Sequence, residues 1–301
     1  MCSIKVANAP CSWGVLEFNL EGEAAGYARV LDEMAQSNYA GTELGDWGFM
    51  PTDPDILRQE LQSRKLSLLG AFVPVALVNP DAHQDGVNSA LKIAQLLAAV
   101  NEAPFIVLAD DNGTVDARTK KAGRIQSEDG LTNEQWAVFT QGAEKIARAV
   151  KDKTGVRTVF HHHCAGYIET PSEVERFLTQ TNPDLIGLCF DTGHYEYGGG
   201  NAANDLKSLS DRIWHVHFKD CHPPIAAEAR EKKLNYFEAV GNGVFCELGK
   251  GSVNFAAVLN GLHEIGYNDW IVVEQDVLPG MGTPLDSAVR NREYLTSLGL
   301  T

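Results

Sequence analysis

The chain lacks any run of about 18 apolar residues, the least that spans a bilayer as a helix, and its longest apolar stretches have the length of a strand. It is also short of bases, with 25 Lys and Arg against 40 Asp and Glu and a formal charge of −15. A surface that tracks phosphates wants clustered cations, so nucleic acid and anionic membranes are disfavoured and a small neutral molecule is the expected partner. Six cysteines, Cys2, Cys11, Cys164, Cys189, Cys221 and Cys246, form no CxxC pair and no regular spacing, and nothing at Met1 to Val6 resembles a signal peptide. A reducing cytoplasm is the expected location. There is no GxGxxG turn, no linker and no low-complexity tract, which argues against a dinucleotide-binding fold and against separate domains.

What is present is alternation. Short apolar runs at Ile4 to Ala9, Ala40 to Leu44, Leu66 to Phe72, Phe105 to Ala109, 156–160, 185–190, 212–218 and 270–274 read as strands. Between them lie amphipathic stretches at Glu23 to Ser37, Asp53 to Arg64, 81–101, 132–152, 171–180, 202–209 and 252–265, with a last one at Leu285 to Leu298. Thr170 followed by Pro171 reads as an N-cap and first helical residue. Eight strands in strict βα alternation predict an α/β fold, a single (β/α)8 TIM barrel over residues 1–301. Two connections, Asp110 to Leu131 and Lys219 to Gly251, are longer than usual and both follow a strand, so they belong to the face where such barrels place lids and specificity walls.

The chemistry gathers at strand ends. Phe190-Asp191-Thr192-Gly193-His194, His215-Val216-His217-Phe218-Lys219-Asp220 and Val273-Glu274-Gln275-Asp276 each put hard oxygen or imidazole donors directly after an apolar run, and His161-His162-His163 follows another. A parallel barrel delivers all strand C-termini to one edge, so these donors can meet around one divalent cation. Thr192-Gly193 is read as a turn that brings His194 back over the mouth. His215 and His217, two apart on a strand, face the lumen together, as His161 and His163 are expected to. Glu274 closes a buried strand, where an unpaired charge would cost several kcal/mol and a cation would offset it. Gln275 and Asp276 are expected on the solvated rim. Glu43 is a further lumen-edge carboxylate, read either as catalytic or as an ion pair with Lys219. Asn8 and Trp13, leaving the first strand, are read as substrate contacts, Trp13 as a wall for a sugar-like ring. Cys11 shows no His partner and is not read as a nucleophile.

These segments, together with Asn8 to Gly14, His161 to Thr170 and Phe190 to Gly199, resemble the xylose isomerase-like barrel superfamily along the full length, and within it the dehydratases of bacterial inositol catabolism. The resemblance implies a cation held by a Glu, an Asp, a His and a Glu at successive strand ends. Asp191, His217 and Glu274 match the last three; His161 stands where the first Glu would be, with His163 as its rival. Epimerases of this superfamily use the first and last carboxylates as an acid/base pair, and this chain keeps one, which suits elimination of water better than epimerisation. The implied substrate is the ketone of a cyclic polyol, 2-keto-myo-inositol, and the implied product a trihydroxycyclohexane-1,2-dione. Glu274 or Glu43 would take the proton α to the carbonyl, Lys219 would steady the resulting negative charge, His163 or His194 would protonate the departing hydroxyl, and His215 would touch substrate. The resemblance points to manganese or cobalt, while the donor types alone also admit zinc or iron. It also implies a homo-dimer or homo-tetramer. The alternatives are a ketose or hydroxypyruvate-type isomerase or epimerase on the same site, and a non-catalytic sugar-binding barrel.

Overall fold

The computed structural model describes residues 4–14, 25–277 and 282–300. Its main sheet is parallel, built from β1 (Lys5–Asn8), β2 (Gly41–Thr42), β3 (Ser67–Leu68), β4 (Gly70–Val75), β5 (Phe105–Asp110), β6 (Arg157–His161), β7 (Ile186–Asp191), β8 (Ile213–Phe218) and β11 (Trp270–Val273). A separate antiparallel pair, β9 (Asp220–Cys221) and β10 (Phe245–Cys246), lies in the second long connection. The chain from Ser67 to Val75 is one strand interrupted at Leu69: its first part pairs with β2 and its second with β5, so the sheet closes on itself as an eight-position barrel. The run read as ending at Phe72 continues to Val75.

Eight helices surround it: α1 (Tyr27–Gln36), α2 (Pro54–Ser63), α3 (His83–Val100), α5 (Asn133–Thr154), α6 (Pro171–Gln180), α8 (Ala202–Leu209), α11 (Phe255–Glu264) and α12 (Pro284–Ser297). Their starts are chemically marked. Asp53 accepts from Asp55 N–H and Ile56 N–H, and Thr132 with Gln135, like Thr170 with Glu173, forms a reciprocal capping box that satisfies helix-start donors. The expected start of the first helix at Glu23 falls outside the described residues; α1 begins at Tyr27. No helix among the described residues is long and apolar enough to cross a membrane.

Strand alternation divides the buried residues into two layers. Ile106, Leu108, Phe160, Leu188, Phe190, Val216 and Phe218 pack outward in the cluster shared with the helices. Phe105, Val107, Val159 and Cys189, with Ala7, Leu69 and Val272, fill small clusters of their own inside the barrel. Continuing that inner parity places His161 and His163 above Val159, Asp191 above Cys189, and Glu274 and Asp276 above Val272. The lumen is therefore apolar at its floor and ionisable at its mouth.

The connections after the strands carry more structure than expected. Residues after β5 form α4 (Asp116–Lys121), and those after β8 form α9 (Pro223–Lys232) and α10 (Tyr236–Gly241). The Thr192-Gly193 turn is instead the start of α7 (Thr192–Tyr197), with Asp191 as its N-cap. Gly193 is required there because a Cβ would stand 2.6 Å from Lys219 Cγ. The two lids brace each other: Arg124 donates to Ala229 O at 3.2 Å and Leu234 O at 3.0 Å, and Arg230 to Gly123 O at 3.0 Å.

Candidate metal centre

Asp191 does two things with its two oxygens. Oδ1 accepts the His194 N–H at 2.8 Å and caps α7, which leaves Oδ2 buried with no hydrogen-bond partner among the described residues. Both ring nitrogens of His161 are orphaned in the same way, and His161 Nε2 lies 3.5 Å from Asp191 Oδ2. His217 Nδ1 stands 4.0 Å from Asp191 Oδ2 and 3.1 Å from Glu274 Oε1. One donor atom from each of His161, Asp191, His217 and Glu274 lies within 4.8 Å of every other. A buried polar atom without a partner costs about 1–3 kcal/mol, and two imidazoles with two carboxylates are an ordinary donor set for a divalent cation, so the residues present fit such an ion. Cys189 also approaches His161 and His217 from the layer beneath, where burial pushes its thiol up to about 12.

Glu43 lines the cavity and is held by two histidines. Its Oε1 is 3.0 Å from His217 Nε2 and 2.8 Å from His215 Nε2. A carboxylate oxygen only accepts, so both imidazoles present an Nε2–H to it, and His217 Nδ1 is left facing the cluster. Burial would raise the Glu43 carboxyl, but His217 and then His215 outweigh it and hold it near 2. Both imidazoles claim its Oε1, which gives it a positioning role behind His217 in place of the expected catalytic one. The alternative expectation of a pair with Lys219 is also not met. His215, 1% exposed and packed on Phe105, does not line the cavity and is corrected from substrate contact to partner of Glu43.

Lys219 continues the inward series His215, His217, Lys219. Its Nζ sits 3.4 Å from Glu274 Oε2 and 3.2 Å from Asp276 Oδ2, and despite burial those carboxylates keep it charged. Asp276 is thus no rim residue: it is buried against Lys219 and lines the cavity. Gln275 is buried too, accepting from Asn291. Two further expectations at the first strand are corrected. Trp13 is 2% exposed, part of the main core, and donates Nε1–H to Glu33 at 2.7 Å, so it offers no face to the cavity. Asn8 is buried and accepts from Ser12 Oγ at 2.6 Å, and Ser12 Oγ in turn accepts the Gln275 N–H, which ties the ends of β1 and β11 together.

The triple histidine divides by parity as expected. His161 and His163 line the cavity, while His162 turns away and accepts the Asp191 N–H at 3.2 Å. His194 is buried, stacked 3.8 Å from His163, and lines no part of the cavity. Burial lowers both rings, helped at His163 by His161 and at His194 by His163: His163 falls to about 3 and His194 well below its usual value. Both rings therefore favour the neutral form, and His194, away from the cavity, does not stand where the expected proton donor would.

The cavity above the cluster is lined by Cys11, Glu43, Asp46, Phe72, His161, His163, Lys219, Tyr236, Glu274 and Asp276, with Ala9, Pro10 and Gly45. Its aromatic walls are Phe72 and Tyr236 instead of Trp13. Burial, and then Glu274, raises the Cys11 thiol, in keeping with its not being read as a nucleophile. Tyr236 went unnoticed in the sequence because it sits in a long connection without period. Asp220, in the His-x-His-x-Lys-Asp run, was equally silent: it accepts N–H groups from Cys221, Gly249, Gly251 and Val253 and folds the segment after β10 back over β8. A Cβ at Gly251 would fall 2.2 Å from Asp220 Oδ1, so that turn admits only glycine.

Residues 22–298 match the xylose isomerase-like TIM barrel family, and the chain belongs to that family. Among curated proteins it is similar to the inosose dehydratase of Lacticaseibacillus casei, 29% identical over 97% of this chain and 96% of the relative. Among solved structures it superposes on the probable 3-DHS dehydratase AsbF of Bacillus anthracis with a TM-score of 0.72 at 11% identity, covering 97% of this chain and 99% of that one. It also superposes on the IolI protein, solved with a zinc atom, with a TM-score of 0.69 at 15% identity, covering 99% and 98%. At such identities the superpositions speak to the fold.

Proposed function

We propose that this chain is a divalent-metal-dependent hydro-lyase that removes water from an inosose, 2-keto-myo-inositol, to give a trihydroxycyclohexane-1,2-dione. The carrying observation is the convergence of four donors, three of them buried and with orphaned atoms, at the floor of the cavity. Likeness to inosose dehydratases over nearly the whole chain supports the substrate. His161, Asp191, His217 and Glu274 would hold the ion, with manganese or cobalt expected and iron or zinc compatible with the same donors. A bound divalent cation supplies Lewis acidity, which polarises a ketone and acidifies the neighbouring C–H.

The remaining steps belong to the side chains. Glu274 faces His217 through Oε1 and keeps Oε2 beside Lys219, placed to accept the α-proton. The Lys219 ammonium steadies negative charge that develops on the substrate oxygen. Four carboxylates line the cavity, Glu43, Asp46, Glu274 and Asp276, and its lysine is already shared by two of them. A phosphate ester or a carboxylic acid would be repelled, whereas hydroxyl groups find acceptors. Epimerases of this superfamily, as the resemblance implies, pair two carboxylates on opposite faces of the substrate. His161 stands at one of those positions and Glu43 is taken up by two histidines, which favours elimination.

Protein loaded with Mn²⁺ or Co²⁺ is expected to convert the inosose to an ultraviolet-absorbing dione, to lose this activity to a chelator and to regain it when metal is restored. Uptake of solvent deuterium into recovered substrate with no dione, or turnover of ketoses alone, would replace this reading with an isomerase or epimerase.

A further inference from the structure

Elimination needs a proton for the departing hydroxyl, and the cavity wall limits where it can come from. Lys219 is clamped between Glu274 and Asp276 on the β8 and β11 side, and Cys11 belongs to that side as well. His163 Nδ1 is 2.6 Å from Cys164 O, so its proton is on that nitrogen and Nε2 is left with a lone pair. Asp46 is exposed at the rim. Among the described residues that line the cavity, Tyr236 carries the only hydroxyl.

Its position suits the task. Going round the barrel from β11, the sequence is β8, β7, β6, so the loop after β6 that carries His163 lies three places from Glu274 and four from Cys11. Tyr236 stands against His163, with Oη 3.4 Å from Nε2 and the rings 5.4 Å apart. His163 is in turn 5.5 Å from His161, a donor of the cluster. Tyr236 therefore lies one side chain beyond the cluster, reached through His163. It is held there by an Asn235–Glu238 capping box at the start of α10 and by Arg124 on Leu234 O.

We infer that Tyr236 is the catalytic proton donor to the β-hydroxyl, an assignment that rests on the dehydratase reading above. As Glu274 takes the α-proton, the electrons of that C–H bond form the C=C bond, the β C–O bond breaks, and the Tyr236 proton passes to the departing oxygen, which leaves as water. Solvent then returns a proton to the phenolate and removes one from Glu274, so no net proton or electron is consumed, and the enol rearranges to the dione.

The test is Tyr236→Phe, which keeps the ring that packs on His163 and Phe237. Water elimination should fall by about 100-fold or more in kcat with little change in KM, while metal uptake and exchange of the α-proton with deuterium persist. A substrate with fluorine in place of the β-hydroxyl leaves without needing a proton, so fluoride release should stay within about fivefold of the unsubstituted enzyme. The ratio of fluoride to water elimination does not depend on the fraction of protein folded. An unchanged ratio, whether both activities persist or both fall, would overturn the assignment. Wild-type protein that neither forms dione nor exchanges the α-proton would instead sink the reading beneath it.

Discussion

The strands of the second half, β6, β7, β8 and β11, end in donors that share one point and are left unsatisfied or aimed at one another. Strands of the first half end in groups whose acceptor oxygens are already occupied, Asn8 Oδ1 by Ser12 and Glu43 Oε1 by His215 and His217, while Asn8 Nδ2 is left without a partner among the described residues. Both sets look alike in sequence, a polar residue closing an apolar run. What separates them is occupancy: a buried polar atom with a protein partner has a structural explanation, and one without a partner points to a ligand. The first half builds the frame and the second half carries the chemistry.

The largest expected effects are therefore in the second half. His217→Ala and Glu274→Gln should each abolish turnover and leave the circular dichroism spectrum and barrel intact. Full activity of either variant in metal-depleted buffer would erase the distinction between the two halves. Glu43→Gln sharpens it. Loss of an orienting carboxylate behind a ligand imidazole typically costs about 10–100-fold in metal affinity, so competition titration should show that drop while His217 stays in place.

The pH dependence of stability probes the loop that follows the triple histidine. Glu169, buried and accepting from Gly123 N–H and Ala165 N–H, is raised by burial to about 7, and Asp110, which accepts the Tyr167 N–H, is raised to about 6. The folded chain binds these protons more tightly than the unfolded one, so their contribution is complete below the unfolded carboxyl value of 4.5 for Glu169 and is lost as pH rises through about 7. Urea titrations from pH 4.5 to 7.5 should show stability falling, by up to about 3 kcal/mol from Glu169, and a flatter profile in Glu169→Gln. The smallest effect on catalysis is expected at Trp13→Phe. It should lose about 1 kcal/mol of stability with its hydrogen bond to Glu33 and leave kcat within about twofold. A large fall in kcat would restore Trp13 to the substrate wall.

Much of this was legible from period and position. Alternation of short apolar runs with amphipathic stretches fixes the barrel, because a strand buried on both faces must be apolar throughout and a helix on one stripe only. Period two also sorts His161 and His163 from His162, and carries His215 and His217 on to Lys219. Occupancy is not written in period. Nothing in the sequence tells that Glu33 waits for Trp13, that Asn291 holds Gln275, or that Asp276 turns in to Lys219, because each partner comes from a remote segment. Tyr236 and Asp220 were silent for the same reason: they act in connections whose shape depends on contacts between loops.

The most direct measurement is the location of the cation in protein crystallised after loading with Mn²⁺, using anomalous scattering at the manganese edge. One ion per chain bonded to His161 Nε2 or Nδ1, Asp191 Oδ2, His217 Nδ1 and Glu274 is the expected result. An ion bound elsewhere, or a cluster that stays empty at saturating metal, would contradict the account.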